Sequence, residues 1–105
     1  MIFIETPVFT AQITELVDDD DYQELQRRLA HDPECNNLIP RSGGLRKIRM
    51  ALPGRGKRGG ARVIYYWITA RAQIYMLLAY AKNVQDDLTP KQLKTLSGVV
   101  AQELK

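Results

Sequence analysis

Apolar positions along the chain change their period several times, and each change marks an element. Ile2-Phe3-Ile4 is a short run of strand formers closed by Thr6-Pro7, which predicts a strand. Thr6 suits an N-cap and Pro7 the first helical position, and Phe9, Ile13, Leu16 and Val17 then recur at helical spacing. A first helix over Pro7–Leu16 follows. Four aspartates at 18–21 end it and open the next, because acids favour the positive end of a helix dipole. Tyr22, Leu25 and Leu29 form the buried stripe of this second helix, which stops before Pro33. Residues 35–42 are turn-like, with Asn36-Asn37 and Pro40, and Leu38-Ile39 offers a short edge of strand.

From 45 to 52 the period becomes two: Leu45, Lys47, Arg49 and Ala51 face one way, and Arg46, Ile48, Met50 and Leu52 the other. Residues 53–60 form a loop with four glycines, able to approach a ligand closely. Residues 62–69 are apolar on both faces and predict a central strand. Arg71-Ala72-Gln73 makes a turn, and 74–82 a further central strand with Met76, Leu78, Tyr80 and Lys82 on one face and Tyr75, Leu77, Ala79 and Ala81 on the other. Thr89-Pro90 repeats the cap-and-proline start, and Leu93, Leu96, Val100 and Leu104 give the stripe of a last helix. The order strand, two helices, three meandering strands, helix predicts an α+β domain. It has a small antiparallel sheet (β-α-α-β-β-β-α), helices packed on one side and a partly open basic cleft on the other.

Composition bounds this picture without changing it. A chain of 105 residues that is 45% hydrophobic supports one core and one domain over 1–105. Its single cysteine, Cys35, forms no internal disulfide, and no stretch reads as a signal peptide or a membrane span. The cytoplasm is therefore the expected location, and no membrane partner is expected.

Charge changes the picture more. Residues 1–34 carry nine acids against Arg27 and Arg28, residues 35–85 carry ten cations and no acid, and residues 86–105 carry three of each. The acid-free middle calls for a partner of opposite sign, although a cationic field alone does not separate nucleic acid from an acidic protein or a membrane surface. Neither metal nor cofactor is expected. The aspartate run lacks the alternating ligands, central glycine and closing glutamate of a calcium loop, and the glycine-rich loop lacks the Gly-Lys-Ser/Thr ending of a phosphate-binding loop.

Two segments together resemble the RelE superfamily of bacterial toxins, with the HigB-like branch of type II toxin–antitoxin systems the nearest match. They are Gly43-Gly44-Leu45-Arg46-Lys47-Ile48-Arg49 and the run from Gly56-Lys57-Arg58-Gly59-Gly60 through Ala61-Arg62-Val63-Ile64-Tyr65-Tyr66, supported by Tyr80-Ala81-Lys82-Asn83. The resemblance implies a ribosome-dependent mRNA interferase that cuts messages in the ribosomal A site. It also implies a cognate antitoxin, expected to be a helix-turn-helix DNA-binding protein, that holds the toxin inactive. It assigns the site to Lys47 and Arg49 on one strand, Arg62 opening the next, and Lys82 ending the last. The family pattern continues with an arginine and then a tyrosine near the C-terminus, where this chain has Asn83 and Thr89. Tyr80 is the substitute for that tyrosine.

Metal-free RNA cleavage uses the 2′-hydroxyl as nucleophile, so a site must accept its proton, stabilise the phosphorane and protonate the leaving 5′-oxygen. His31, the one histidine, lies in the acidic half and suits a helix C-terminus better than catalysis. The cations must then act. Arg49 and Arg62 offer planar forks for a phosphate. Lys47 is the candidate base, and Lys82 the candidate acid or second clamp. Arg46, Arg55, Lys57 and Arg58 are candidates for docking onto ribosomal or messenger RNA. Tyr65, Tyr66, Trp67 and Tyr75 read as core. Two further functions fit the charge: a ParE-like gyrase inhibitor without catalysis, and an RNA-binding module that cuts nothing.

Overall fold

The computed structural model describes residues 1–34, 36–52 and 60–104, so Cys35, Arg55, Lys57, Arg58 and most of the glycine-rich loop lie outside the described residues. The elements are β1 (Ile2–Glu5), α1 (Pro7–Leu16), α2 (Asp19–His31), β2 (Asn37–Leu38), β3 (Arg46–Met50), β4 (Ala61–Ile68), β5 (Gln73–Ala81) and α3 (Pro90–Val99), which runs on as a π-helical turn over Val100–Leu104. The α+β class and the order of the longer elements are those the sequence predicts; the two-residue β2 adds a fifth strand, one residue before the Leu38-Ile39 edge the sequence offers.

All three helix starts are made by the expected chemistry. The hydroxyl of Thr6 accepts the Phe9 amide at 3.0 Å, with Pro7 at the first helical position. The Asp18 carboxylate accepts the Asp21 amide at 2.9 Å, so part of the aspartate run is consumed in opening α2. Thr89 and Gln92 form a reciprocal capping box at the start of α3.

The sheet runs β1-β5-β4-β3-β2, antiparallel except for β1, which pairs parallel to β5 at the edge. Its first face is covered by α1 and α2. Phe9, Ile13, Leu25 and Leu29 pack there on Ile48, Met50, Val63, Tyr65, Ile74, Met76 and Ala79, and the Phe9 and Tyr22 rings meet at 5.9 Å. The second face holds Leu45, Ile64, Leu77, Leu78 and Tyr80, packed by Leu93, Leu96, Val100 and Leu104. The single-sided placement therefore holds for α1 and α2, whereas α3 lies on the second face, beside the basic side chains. A stripe of leucines needs an apolar floor, and the first face is already filled.

The structure departs from strict alternation in β5. Ile64 pairs with Leu78 but Tyr65 with Met76, so Leu77 is an extra residue, a β-bulge. Ile74 and Met76 share the first core with Ala79 and Ala81, while Tyr75, Leu77, Leu78 and Tyr80 share the second. Period-two reading put Met76 and Tyr80 on one face, and the bulge separates them.

Beyond the end of β1, helix α1 supplies what the missing strand would have supplied. Thr6 Oγ1 donates to the Leu77 carbonyl at 3.0 Å, and Gln12 Oε1 accepts the Ala79 amide at 2.8 Å. Two backbone groups on the outer edge of β5 are thereby satisfied without a neighbouring strand.

Candidate active site

Cross-strand register places the basic residues before any side-chain detail is considered. Arg49 pairs with Arg62, and Arg62 with Tyr80, so the three form one row across β3, β4 and β5. Lys47 stands two residues along β3, about 7 Å away on the same face. Lys82 continues the alternation one step past β5, where its amide donates to the Gly60 carbonyl at 2.9 Å. Gly60 is required at that junction, since a Cβ there would stand 2.6 Å from the Met50 carbonyl oxygen. Gly43 and Gly44, ahead of β3, adopt φ of 78° and 116°, which side chains rarely tolerate.

Burial separates the roles. Arg62 is 5% exposed, and its guanidinium donates only to the neighbouring Ala61 carbonyl at 3.3 Å among the described residues. Arg49 is exposed. A buried cation facing another cation across a strand pair is unfavourable for folding alone. Such an arrangement holds positive charge ready for an anion.

Tyr80 is 6% exposed, and its hydroxyl is buried with no hydrogen-bond partner among the described residues. Burial foremost, then the nearby Asp87 carboxylate, pushes its phenol up to about 12, with Arg62 opposing. The group therefore keeps its proton at any physiological pH; its hydroxyl is buried, while the residue lines a cavity of about 530 Å³.

That cavity also touches Lys47, Asp87, strand β2 and the three residues after it, Ile39 to Arg41. Lys47 Nζ donates to Asp87 Oδ1 at 2.6 Å. This hydrogen bond is the main cause holding the Asp87 carboxyl below its ordinary value of 3.8; the charges of Lys47, Arg62 and Arg49 add to it, and desolvation opposes. One carboxylate thus feels all three cations.

The structure brings together Lys47, Arg49, Arg62 and Tyr80, with Lys82 at the end of the same face. Arg46 is not part of the group. It falls on the opposite face, where its guanidinium donates at 2.8 Å to the carbonyls of Glu34 and Asn36 and pins the link between α2 and β2. Asp87 is the residue that sequence reading missed. It lies two residues past the acid-free span and has no periodic context. The available signal was its place in the loop between the Tyr80–Lys82 strand end and the cap of α3.

Comparison with known proteins gives the fold and the family. The fold is similar to that of a double arginine-to-alanine mutant of E. coli toxin RelE in the free state. That match has a TM-score of 0.55 and 12% identity, over 92% of this chain and 93% of that one. Residues 36–105 match the model of the RelE toxin of the RelE/RelB toxin–antitoxin system, a span that contains β2 through α3 and every residue of the site. The chain belongs to the RelE toxin family of toxin–antitoxin systems.

Proposed function

We propose that the protein is a ribosome-dependent mRNA interferase, a metal-independent endoribonuclease that arrests translation. The observation that carries the reading is the Arg49–Arg62–Tyr80 row, with the Lys47–Asp87 pair at its side. Arg49 and Arg62 clamp the scissile phosphate and stabilise the added negative charge of the phosphorane. The 2′-hydroxyl loses its proton to the Lys47–Asp87 pair as its oxygen attacks phosphorus. The P–O5′ bond then breaks, and the leaving oxygen takes a proton from Tyr80 or Lys82. The products are a 2′,3′-cyclic phosphate and a 5′-hydroxyl. Proton transfers of this kind contribute roughly 10²- to 10⁴-fold each, so positioning of the message by the ribosome carries much of the rate.

The working compartment is the cytoplasm, where message and ribosome meet; among the described residues no helix is long and apolar enough to cross a membrane. The inhibiting partner is an antitoxin with an acidic segment, complementary to the cationic face.

The test is translation of a defined message in a purified system, with ends mapped by primer extension. Codon-phased new ends that require both ribosomes and toxin are expected. Arg62→Met, which keeps volume and removes the buried charge, is expected to abolish them in a folded protein. Unchanged messages combined with inhibited DNA gyrase would overturn the reading in favour of a non-enzymatic ParE-like inhibitor.

A further inference from the structure

Strand β2 has two residues and pairs with β3 at Arg46 and Lys47, and beyond that point no strand lies beside the outer edge of β3 among the described residues. In that gap lies a recess of about 250 Å³ lined by Arg28, Asn36, Asn37, Lys47 and Arg49. Arg28 comes from the last turn of α2, and its guanidinium reaches across to donate to the Arg49 carbonyl at 3.3 Å. The recess thus combines three cations from two elements with two side-chain amides, and no carboxylate lines it among the described residues.

Of the nearby acids, Glu24 is held by Arg27 at 2.7 Å and Glu34 accepts the Trp67 indole N–H at 3.2 Å, while Asp87 meets Lys47 at 2.6 Å and lines the larger cavity, not the recess. Lys47 borders both this recess and the larger cavity, so the two are neighbours, the recess lying at the β3 edge where α2 reaches round to it. The i to i+2 spacing of Lys47 and Arg49 along β3 is about 7 Å, commensurate with the step between successive phosphates of an extended strand.

We infer that this recess is a second phosphate site, completed by Arg28, which holds the RNA backbone one nucleotide away from the scissile phosphate. The inference rests on the interferase reading and extends it to an arginine of the acidic half. Fixing the neighbouring phosphate would set the register of the strand over Arg49 and Arg62 without contact to a base. Arg28 is then a positioning residue and takes no part in the chemistry.

The experiment measures binding of a single-stranded RNA oligonucleotide carrying 2′-O-methyl riboses, which blocks the nucleophile, by fluorescence anisotropy over a range of salt concentrations. Loss of one phosphate contact to a single strand reduces the slope of log K against log salt by about 0.7. Arg28→Ala is expected to show that reduction. Arg27→Ala, with the same change in net charge, is expected to keep the wild-type slope, and Arg28→Lys to retain it also. An unchanged slope for Arg28→Ala, an equal loss for Arg27→Ala, or no salt-dependent binding by the wild type overturns the site. So does an Arg28→Ala protein that binds RNA normally but holds purified antitoxin more weakly, because the recess would then serve the protein partner. The two readings fail separately. Cleavage lost in Arg62→Met beside an unchanged Arg28→Ala slope removes only the recess, and a slope shift in a protein that cuts no message removes only the cleavage reading.

Discussion

Tyr80→Phe sets stability and activity against each other. The phenol oxygen is buried and has no hydrogen-bond partner among the described residues, while the ring packs among Leu45, Ile64, Leu77 and Val100. A buried polar group left unsatisfied costs about 1–3 kcal/mol. The nearby Arg62 charge moderates that cost, so the lower end applies. Removing the oxygen leaves the apolar contacts of the ring in place. The variant should therefore be more stable by about 1 kcal/mol, which in a domain of this size raises Tm by about 4 °C. The same change deletes the buried O–H donor near Arg62, so on the proposed reading cleavage of a translated message should fall by roughly 10²-fold or more. Differential scanning calorimetry and end mapping on one preparation read both quantities. A lower Tm would mean the hydroxyl is bonded in the folded protein and would refute the orphan-donor reasoning. A raised Tm with undiminished cleavage would remove Tyr80 from the site.

Two further changes probe the surroundings. Asp87→Asn breaks the pair with Lys47. Because the carboxyl sits below its ordinary value of 3.8 in the folded protein, its contribution is present above about pH 4 and lost as pH falls through the lower folded value. A difference in Tm between wild type and variant is expected at pH 6, worth under about 1 kcal/mol for so exposed a pair, and should vanish near pH 2. Gly60→Ala drives a methyl to 2.6 Å from the Met50 carbonyl and disturbs the bond that anchors the Lys82 amide. A loss of about 1–3 kcal/mol in urea denaturation is expected, and no loss would mean the β3–β4 end relaxes freely.

Elements governed by local chemistry were legible in the sequence, and features that depend on the sheet were not. Thr6-Pro7, Asp18 and Thr89-Pro90 marked helix starts because a cap and its amide lie within three residues of one another. Lys47 and Arg49 could be placed on one face because β3 keeps strict alternation. Arg46 was one residue out of phase with them, and its place on the opposite face follows from the same alternation that set them apart. The parallel pairing of β1 with β5 involves residues some seventy positions apart, and nothing local encodes it. The bulge was equally hidden, because Tyr75 through Ala81 is apolar throughout and every phase of such a run looks alike. It nevertheless decides the site. Without the extra residue Leu77, Tyr80 would share the face of Met76 and point under α1 and α2; with it, Tyr80 turns to Arg62. Alternation alone would have set Tyr80 on the face away from Arg62, whereas the observed register pairs the two.

Asp87 raises the question of how a polyanion reaches a face that carries a carboxylate, and magnitudes answer it. The Asp87 side chain is 70% exposed and that of Lys47 19% exposed, so their pair is worth at most about 1 kcal/mol. In the free protein that small sum has a use. Arg49 and Arg62 stand directly across from each other with Lys47 beside them, and like charges in such positions destabilise a sheet by roughly 0.2–1 kcal/mol a pair. One mobile counter-charge among three cations offsets much of that repulsion. A phosphate that enters the row makes charge-assisted bonds to two planar guanidiniums, each about twice as strong as a neutral hydrogen bond. It therefore occupies the two arginines, which Asp87 reaches only through charge, while needing no movement of the strands that hold them. The carboxylate, 70% exposed beside Lys47, is on the proposed reading the member of the Lys47–Asp87 pair that accepts the 2′-hydroxyl proton. On the proposed reading the free protein's counter-ion and the reaction's proton acceptor are the same group, which gives Asp87 a use at the mouth of a face rich in cations.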